Sequence, residues 1–410
     1  MNLKIIIYWE QDSWGGTDTQ LLNLLQAWPN KNDEILLLSN KSNGGLIRIK
    51  KELSTLPFLK IMTINSFSFN ELRMCLQKKI GRCGNILNKF LYFFQPVIFL
   101  ANFIQLSIIF KKLKKYDVLI SNNGAYPGAW GCIAALFSSK LNGIKVAVMI
   151  VHHKATTPAI FMNLFEQYVD RMVSNYCNAV IAVSDATKRT LISNRKFIEE
   201  NLKIKVIHNG TKSYNSHTSF HKSSKINIGV IGRIEEYKGI EDLLYALSIL
   251  QIKYIDKLII NVIGSGEKKE IEHLQNFVKQ LRIENKINFC GYLENDDPIF
   301  FEIDITYIGT RTFEGFGLTA IEAMSRGSYV IATRVGSMPE LFKAHKVHFV
   351  EPNDSLQISE EIMKIMDEIE GGCVLRDPYL PKTYTREYMS GQYRDFLIQN
   401  LIWSNSACEL

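Results

Sequence analysis

The sequence predicts an α/β fold built as two successive β/α series. Two observations carry this. Short continuous apolar runs alternate with segments of helical spacing, the pattern of parallel strands buried on both faces and the helices that connect them. Residues 213–225, SYNSHTSFHKSSK, then break the alternation with a polar stretch that has the composition of a linker. A second series begins directly after it. At 410 residues the chain is too long for one ordinary core, and two domains follow.

In the first series, residues 4–8 form a strand and lead into a loop over 9–18 that contains Gly15 and Gly16. The spacing predicts a helix over 19–28 with Leu21, Leu22, Leu24 and Leu25 inward, then a strand over 34–38. Strand, Gly-Gly loop and helix let backbone approach a phosphate, although a Gly-Gly pair is as readily a plain turn. Residues 90–110 are strongly apolar, with Lys78, Lys79, Arg82 and Lys89 before them and Lys111, Lys112, Lys114 and Lys115 after. The run is near membrane-spanning length. Gln95, Pro96, Asn102 and Gln105 interrupt it, and a strand over 117–120 follows. The expectation is a helix on the core or on a domain face, with a helix lying on anionic lipid as the open alternative. A strand over 146–151 ends at His152 and His153. Ligands bind outside the carboxyl ends of such strands, so a histidine there is a candidate, though a structural histidine fits equally. Further strands lie over 179–183, with Ser184 and Asp185 at a helix start, and over 205–207, before His208, Asn209 and Gly210.

The second series opens with a strand over 226–231, followed by Gly232 and Arg233, then Lys238 and Gly239 before a helix over 240–250. A strand over 257–263, a helix over 268–281 and short strands over 286–289 and 303–308 come next. The stretch from Thr310 to Leu341 carries the densest signal: Glu314 flanked by Gly315, Phe316 and Gly317, a helix over 318–324 bearing Glu322, and a strand over 329–332 closed by Gly336. Glycines beside a helix start make an anion site. Two carboxylates beside it suit a ligand that also carries hydroxyls, since carboxylates accept hydrogen bonds strongly. A nucleotide sugar has both. Helices over 356–370 and 385–403 complete the chain.

Composition narrows the classes. The apolar share of 46% and charged share of 22% are those of a folded globular protein. A net charge of +7 suits phosphate-bearing substrates or an anionic membrane surface. Nucleic acid is disfavoured, because the basic residues are scattered without an aromatic-basic motif. Seven dispersed cysteines, never spaced C-x-x-C, argue for a reducing compartment and against a disulfide framework or zinc site. The first ten residues are too briefly apolar for a signal peptide. The expectation is a cytoplasmic protein, peripheral at the inner face of the plasma membrane if the apolar helix meets lipid.

These residues resemble the retaining glycosyltransferases of family 4. Glu314 and Glu322 reproduce the Glu-x(7)-Glu pattern of that family, and Gly232-Arg233 with Lys238-Gly239 resembles its G-R-x(4)-K-G element. Gly15-Gly16, His152, Val183-Ser184, Gly327, Val330 to Ala332, Gly336 and Glu340 follow in family order, as does the Asn209-Gly210 pair. The resemblance implies a GT-B fold: two Rossmann-like domains facing a cleft, with the last helix crossing back to the first. It assigns 1–212 to the acceptor, 213–225 to a linker, 226–384 to the nucleotide sugar, and 385–410 to the crossing helix and tail.

By the same resemblance, Arg233 and Lys238 hold the diphosphate, Glu322 the ribose hydroxyls and Glu314 those of the donor sugar. Gly315, Phe316, Gly317 and Leu318 line the donor, Gly16 lies near its phosphate, and His152 near the transferred sugar. The expected donor is a UDP- or GDP-sugar, and the acceptor a glycan or lipid-linked glycan of the bacterial surface. No cofactor and no metal are expected, since Asp296-Asp297 is adjacent rather than spaced as Asp-x-Asp. Ser337 stands where the family usually has a second glycine, and Tyr329 where proline is common. A non-catalytic module of the same fold that binds a nucleotide sugar or glycan is the alternative. A nucleotide-cofactor oxidoreductase is disfavoured, because Gly15-Gly16 forms no G-x-G-x-x-G.

Overall fold

The computed structural model describes residues 1–11, 14–66, 92–197, 202–214, 225–294, 297–342, 345, 347–371 and 378–406. The chain folds as two compact units, one of Met1–His208 with Arg386–Leu410 and the other of Asn209–Thr385.

The first unit holds a seven-stranded, wholly parallel sheet in the order β3-β2-β1-β4-β5-β6-β7. Its strands are β1 (Lys4–Trp9), β2 (Glu34–Asn40), β3 (Leu59–Ile64), β4 (Val118–Asn123), β5 (Val146–Val151), β6 (Ala179–Ala182) and β7 (Lys203–Val206). The register is continuous: Ile6 lies opposite Leu36 on one side and Leu119 on the other. Strands β4 and β5 are buried along their whole length, which is why β5 reads as an unbroken apolar run rather than an alternating one. The order reverses between β1 and β4, and ligands of open α/β sheets bind at such a switch point.

Helices cover both faces. Gly16–Gln26 follows β1, Trp130–Leu141 follows β4, and Asp185–Arg195 follows β6. Ser184 caps the last of these, its hydroxyl accepting from the Thr187 N–H at 3.1 Å. The apolar run at 90–110 is a helix over Gln95–Lys112, with its preceding lysines outside the described residues. Leu106 and Phe110 are buried in the core, and Phe99 meets Trp130, Phe137 and Phe165 edge-on. Among the described residues no helix is long and apolar enough to cross a membrane.

The helix Arg386–Ser406 returns to the first unit. Arg394 binds Asp33 at 2.8 Å, Ser390 donates to the Leu24 carbonyl at 2.9 Å, and Tyr393 is fully buried beside Gln20.

The second unit carries a six-stranded parallel sheet in the order β10-β9-β8-β11-β12-β13. These are β8 (Ile226–Ile231), β9 (Leu258–Ile263), β10 (Ile287–Gly291), β11 (Ile305–Ile308), β12 (Tyr329–Thr333) and β13 (Val347–Val350). This is the 3-2-1-4-5-6 order of a Rossmann sheet, with its switch point between β8 and β11. Residues 209–211 belong here: the Thr211 N–H donates to the Tyr384 carbonyl at 2.9 Å, and Thr211 bridges Thr385. The first stretch of the first unit runs to His208, and this backbone pairing holds residues 209–211 against the second unit. Most of the expected linker, 215–224, lies outside the described residues.

Candidate functional site

In the second unit, the two loops at the switch point bring the predicted residues together. One loop leaves β8 through Gly232 and Arg233 and ends at Lys238-Gly239, where the helix Ile240–Ser248 begins. The other leaves β11 through Gly309, Thr310 and Arg311 and reaches Glu314. Gly239 has φ +63°, and a Cβ there would overlap the Gly309 carbonyl oxygen. Only glycine lets the loops close to this distance. Arg311 clamps them from behind, its guanidinium holding Asp242 through Nε at 2.9 Å and Nη2 at 2.7 Å. Its backbone N–H donates to the Tyr237 carbonyl at 2.8 Å.

Inside this clamp, Lys238 Nζ lies 3.1 Å from Glu314 Oε2. The Thr310 hydroxyl donates to the same carboxylate oxygen at 3.0 Å, and Lys238 Nζ stands 3.4 Å from that hydroxyl. Burial works against the lysine's charge, and the Glu314 carboxylate overrides it, so the Lys238 pKa is raised and the ammonium persists. The two groups that the resemblance assigns to different parts of a ligand are thus paired with each other. Arg233 is half exposed, held by Glu235 at 2.9 Å and by the Tyr237 hydroxyl at 3.1 Å.

Glu314 is placed from its backbone. Gly336, at φ +57°, packs so closely on the Glu314 main chain that a Cβ would overlap it. Ser337 donates to the Glu314 carbonyl twice, from its N–H at 2.9 Å and its hydroxyl at 3.1 Å. The serine that departs from the family pattern therefore supplies a further bond at this point.

Gly315 and Gly317 are buried, and Gly317, at φ +84°, caps the helix Leu318–Ser325 that carries Glu322. Leu318 is its first residue. The Phe316 ring is 3% exposed and meets Tyr384 edge-on at 5.8 Å. It packs into the core, so only its backbone is left to line a donor. Thr310, Arg311, Asp242 and Tyr237 were not singled out from the sequence. Threonine and tyrosine carry no spacing rule, and an Arg–Asp pair 69 residues apart has no local signature.

In the first unit, the carboxyl edge of the sheet is polar. His152 follows β5, and its Nε2 donates to Asn122 Oδ1 at 2.7 Å. Burial pushes its pKa down to about 3, so the imidazole is neutral at ordinary pH. His152, rather than His153, makes this bond to β4. Gly16 is exposed at the first position of Gly16–Gln26. The preceding turn is fixed by Asp18, which accepts from the Gly15 N–H at 2.6 Å and Trp9 Nε1 at 2.8 Å. Burial pushes the Asp18 pKa up to about 6 against these hydrogen bonds. Asp18 was also missed from the sequence, where it reads as the last residue of the loop over 9–18, whereas the helix already begins at Gly16.

Two family models match in succession, Glycosyltransferase Family 4 over residues 14–212 and Glycosyl transferases group 1 over 214–370. An uncharacterised glycosyltransferase of Methanocaldococcus jannaschii is 29% identical over 247 residues, 56% of this chain. The chain spans 58% of that relative's length. An uncharacterised 41.2 kDa protein in the cps region of Klebsiella pneumoniae is 27% identical over 281 residues, covering 62% of this chain and 72% of its own. The solved structure of Anabaena HepE in complex with UDP superposes over all of both chains, with a TM-score of 0.66 at 17% identity. With two Rossmann-like sheets and both models in order along its length, the chain belongs to glycosyltransferase family 4 and has the GT-B fold.

Proposed function

We propose that the protein is a retaining glycosyltransferase that moves a hexosyl or N-acetylhexosaminyl group from a nucleotide-diphosphate sugar to a glycan or lipid-linked acceptor. The observation that carries this reading is the convergence of Lys238, Thr310 and Glu314 at the switch point of the second sheet, with Arg233 on the same loop as Lys238. Departure of a nucleoside diphosphate develops negative charge on phosphate oxygen, and two fixed cations and helix N–H groups stabilise it. Positive charge develops at the sugar, where a carboxylate is suited.

The Lys238–Glu314 pair opens for the donor: the ammonium turns to the diphosphate and the carboxylate to the sugar hydroxyls. Glu322 takes the ribose hydroxyls. The acceptor oxygen attacks the anomeric carbon from the face the phosphate leaves. The carbon–oxygen bond to phosphate breaks as the new glycosidic bond forms, and the acceptor's proton passes to the leaving phosphate. Arg233 and Lys238 supply the charge that a metal ion provides elsewhere, so transfer proceeds without one.

The first unit binds the acceptor, with neutral His152 acting as a hydrogen-bonding group and not as an acid. The UDP held by Anabaena HepE supports a UDP-sugar donor, and the relative in the cps region supports a role in surface polysaccharide assembly.

The test is turnover of a panel of UDP- and GDP-sugars, with and without chelator, against lipid-linked acceptors. Arg233→Ala is expected to lose about 2–4 kcal/mol of transition-state stabilisation, and Glu314→Gln to fall at least as far. Equal rates for wild type and both variants with an active donor would remove these residues from the reaction.

A further inference from the structure

The helix Gln95–Lys112 has two apolar sides. One packs on the first unit's core. The other presents Val97, Leu100, Ile104 and Ile108, each more than half exposed, at the spacing of one helical face. A second element continues it. Phe93 meets Phe161 at 5.0 Å between rings, and beside that contact Ile160, Leu164 and Tyr168 are exposed, Leu164 to 85%. A monomer has no reason to keep so extended an apolar surface in water.

Its own exposed charges are basic, although Lys115 is paired with Glu34 of β2. Residues 92–116 contain no Asp or Glu, and they end in Lys111, Lys112, Lys114 and Lys115. The helix Trp130–Leu141, packed alongside, has no acid either and ends with Lys140 and an exposed Leu141. The helix Asn163–Tyr176 has two acids, Glu166 and Asp170, and both are buried on Arg195, at 2.7 and 3.6 Å. The carboxylates of this face are turned inward, whereas its cations stay at the surface.

We propose that this two-element face is a docking surface for an anionic lipid bilayer, with the apolar stripe in the headgroup–acyl boundary and the lysines on the headgroups. Apolar area plus basic residues without acids is the composition that binds anionic membranes and repels acidic proteins. At the Phe93–Phe161 contact the surface reaches the segment that follows the carboxyl end of β5, the edge that bears His152. Vesicle binding is measured without donor or acceptor, so this proposal stands or falls apart from the transfer reaction.

The experiment is co-sedimentation of the full-length protein with vesicles of phosphatidylcholine alone and of phosphatidylcholine mixed with phosphatidylglycerol. The expected result is binding to the mixed vesicles that weakens with salt. Ile104→Glu with Ile108→Glu removes two exposed apolar contacts and is expected to weaken it more than about ten-fold, with thermal unfolding unchanged. Lys111→Gln and Lys112→Gln are expected to weaken it about five-fold each. No binding to either vesicle, or equal binding by the Ile104→Glu/Ile108→Glu variant, would overturn the proposal. So would a dimer that this variant dissociates while wild type ignores lipid, since the face would then belong to a second copy.

Discussion

The pairing of Lys238 with Glu314 can be measured without knowing the substrate. Lys238→Met removes one charge at similar volume, Glu314→Gln removes the other, and the double variant completes a thermodynamic cycle. At 3.1 Å and an effective dielectric near 20, the Coulomb attraction is about 5 kcal/mol, an upper bound. Both side chains keep about a quarter of their surface in water, 27% and 19%, so solvent screens the pair and desolvation offsets part of the remainder. A net coupling of about 1–2 kcal/mol follows. Each single variant should destabilise the second unit, because it leaves the other group uncompensated at a partly buried position. The double variant should cost less than the sum of the two. Urea unfolding of all four proteins at constant pH reads this directly, provided the slope with denaturant is unchanged. Additivity within about 0.3 kcal/mol would refute the pair, and with it the idea that these residues neutralise one another before donor arrives.

Three further outcomes follow from the same geometry. Thr310→Val keeps shape but removes the hydroxyl between Lys238 and Glu314; turnover should fall about ten-fold or more, and Thr310→Ser should restore most of it. Gly336→Ala should cost more than about 1 kcal/mol in unfolding experiments and lower turnover too, since left-handed backbone and overlap with Glu314 both oppose it. The pH dependence of stability should carry a His152 component. Its folded pKa is depressed to about 3, so between the unfolded value and that pH only the unfolded chain binds the proton, and stability is lost as pH falls. At pH 5 the loss is about 2 kcal/mol relative to pH 7, measurable as the difference between wild type and His152→Gln.

The second unit was the more legible of the two in the sequence. Strand β8 runs over Ile226–Ile231 as expected, and the Glu314–Glu322 spacing pointed to the loop after β11 and the helix Leu318–Ser325. Its central strands β8, β9, β11 and β12 are mostly buried, so their apolar runs stand out between turn residues. The helices Leu46–Leu53 and Trp130–Leu141 and the strand β3 were not anticipated. Trp130–Leu141 is largely buried all round and so lacks a polar face, while β3 is a partly buried edge strand with little contrast. The clamp by Arg311 and the placement of Glu314 by Gly336 and Ser337 were invisible for another reason. They join residues that only the fold makes neighbours.

The return of Arg386–Ser406 to the first unit has a consequence for biosynthesis. Asp33, Leu24 and Gln20 are made early, yet their partners Arg394, Ser390 and Tyr393 emerge some 360 residues later. At about 5–20 residues per second, the ribosome spends tens of seconds on Asn209–Thr385 while the face that receives this helix stands open. The second unit is continuous in sequence and can complete its core in that interval. The first unit begins first and finishes last, so a stalled chain would leave the half that starts the protein exposed to aggregation and proteolysis.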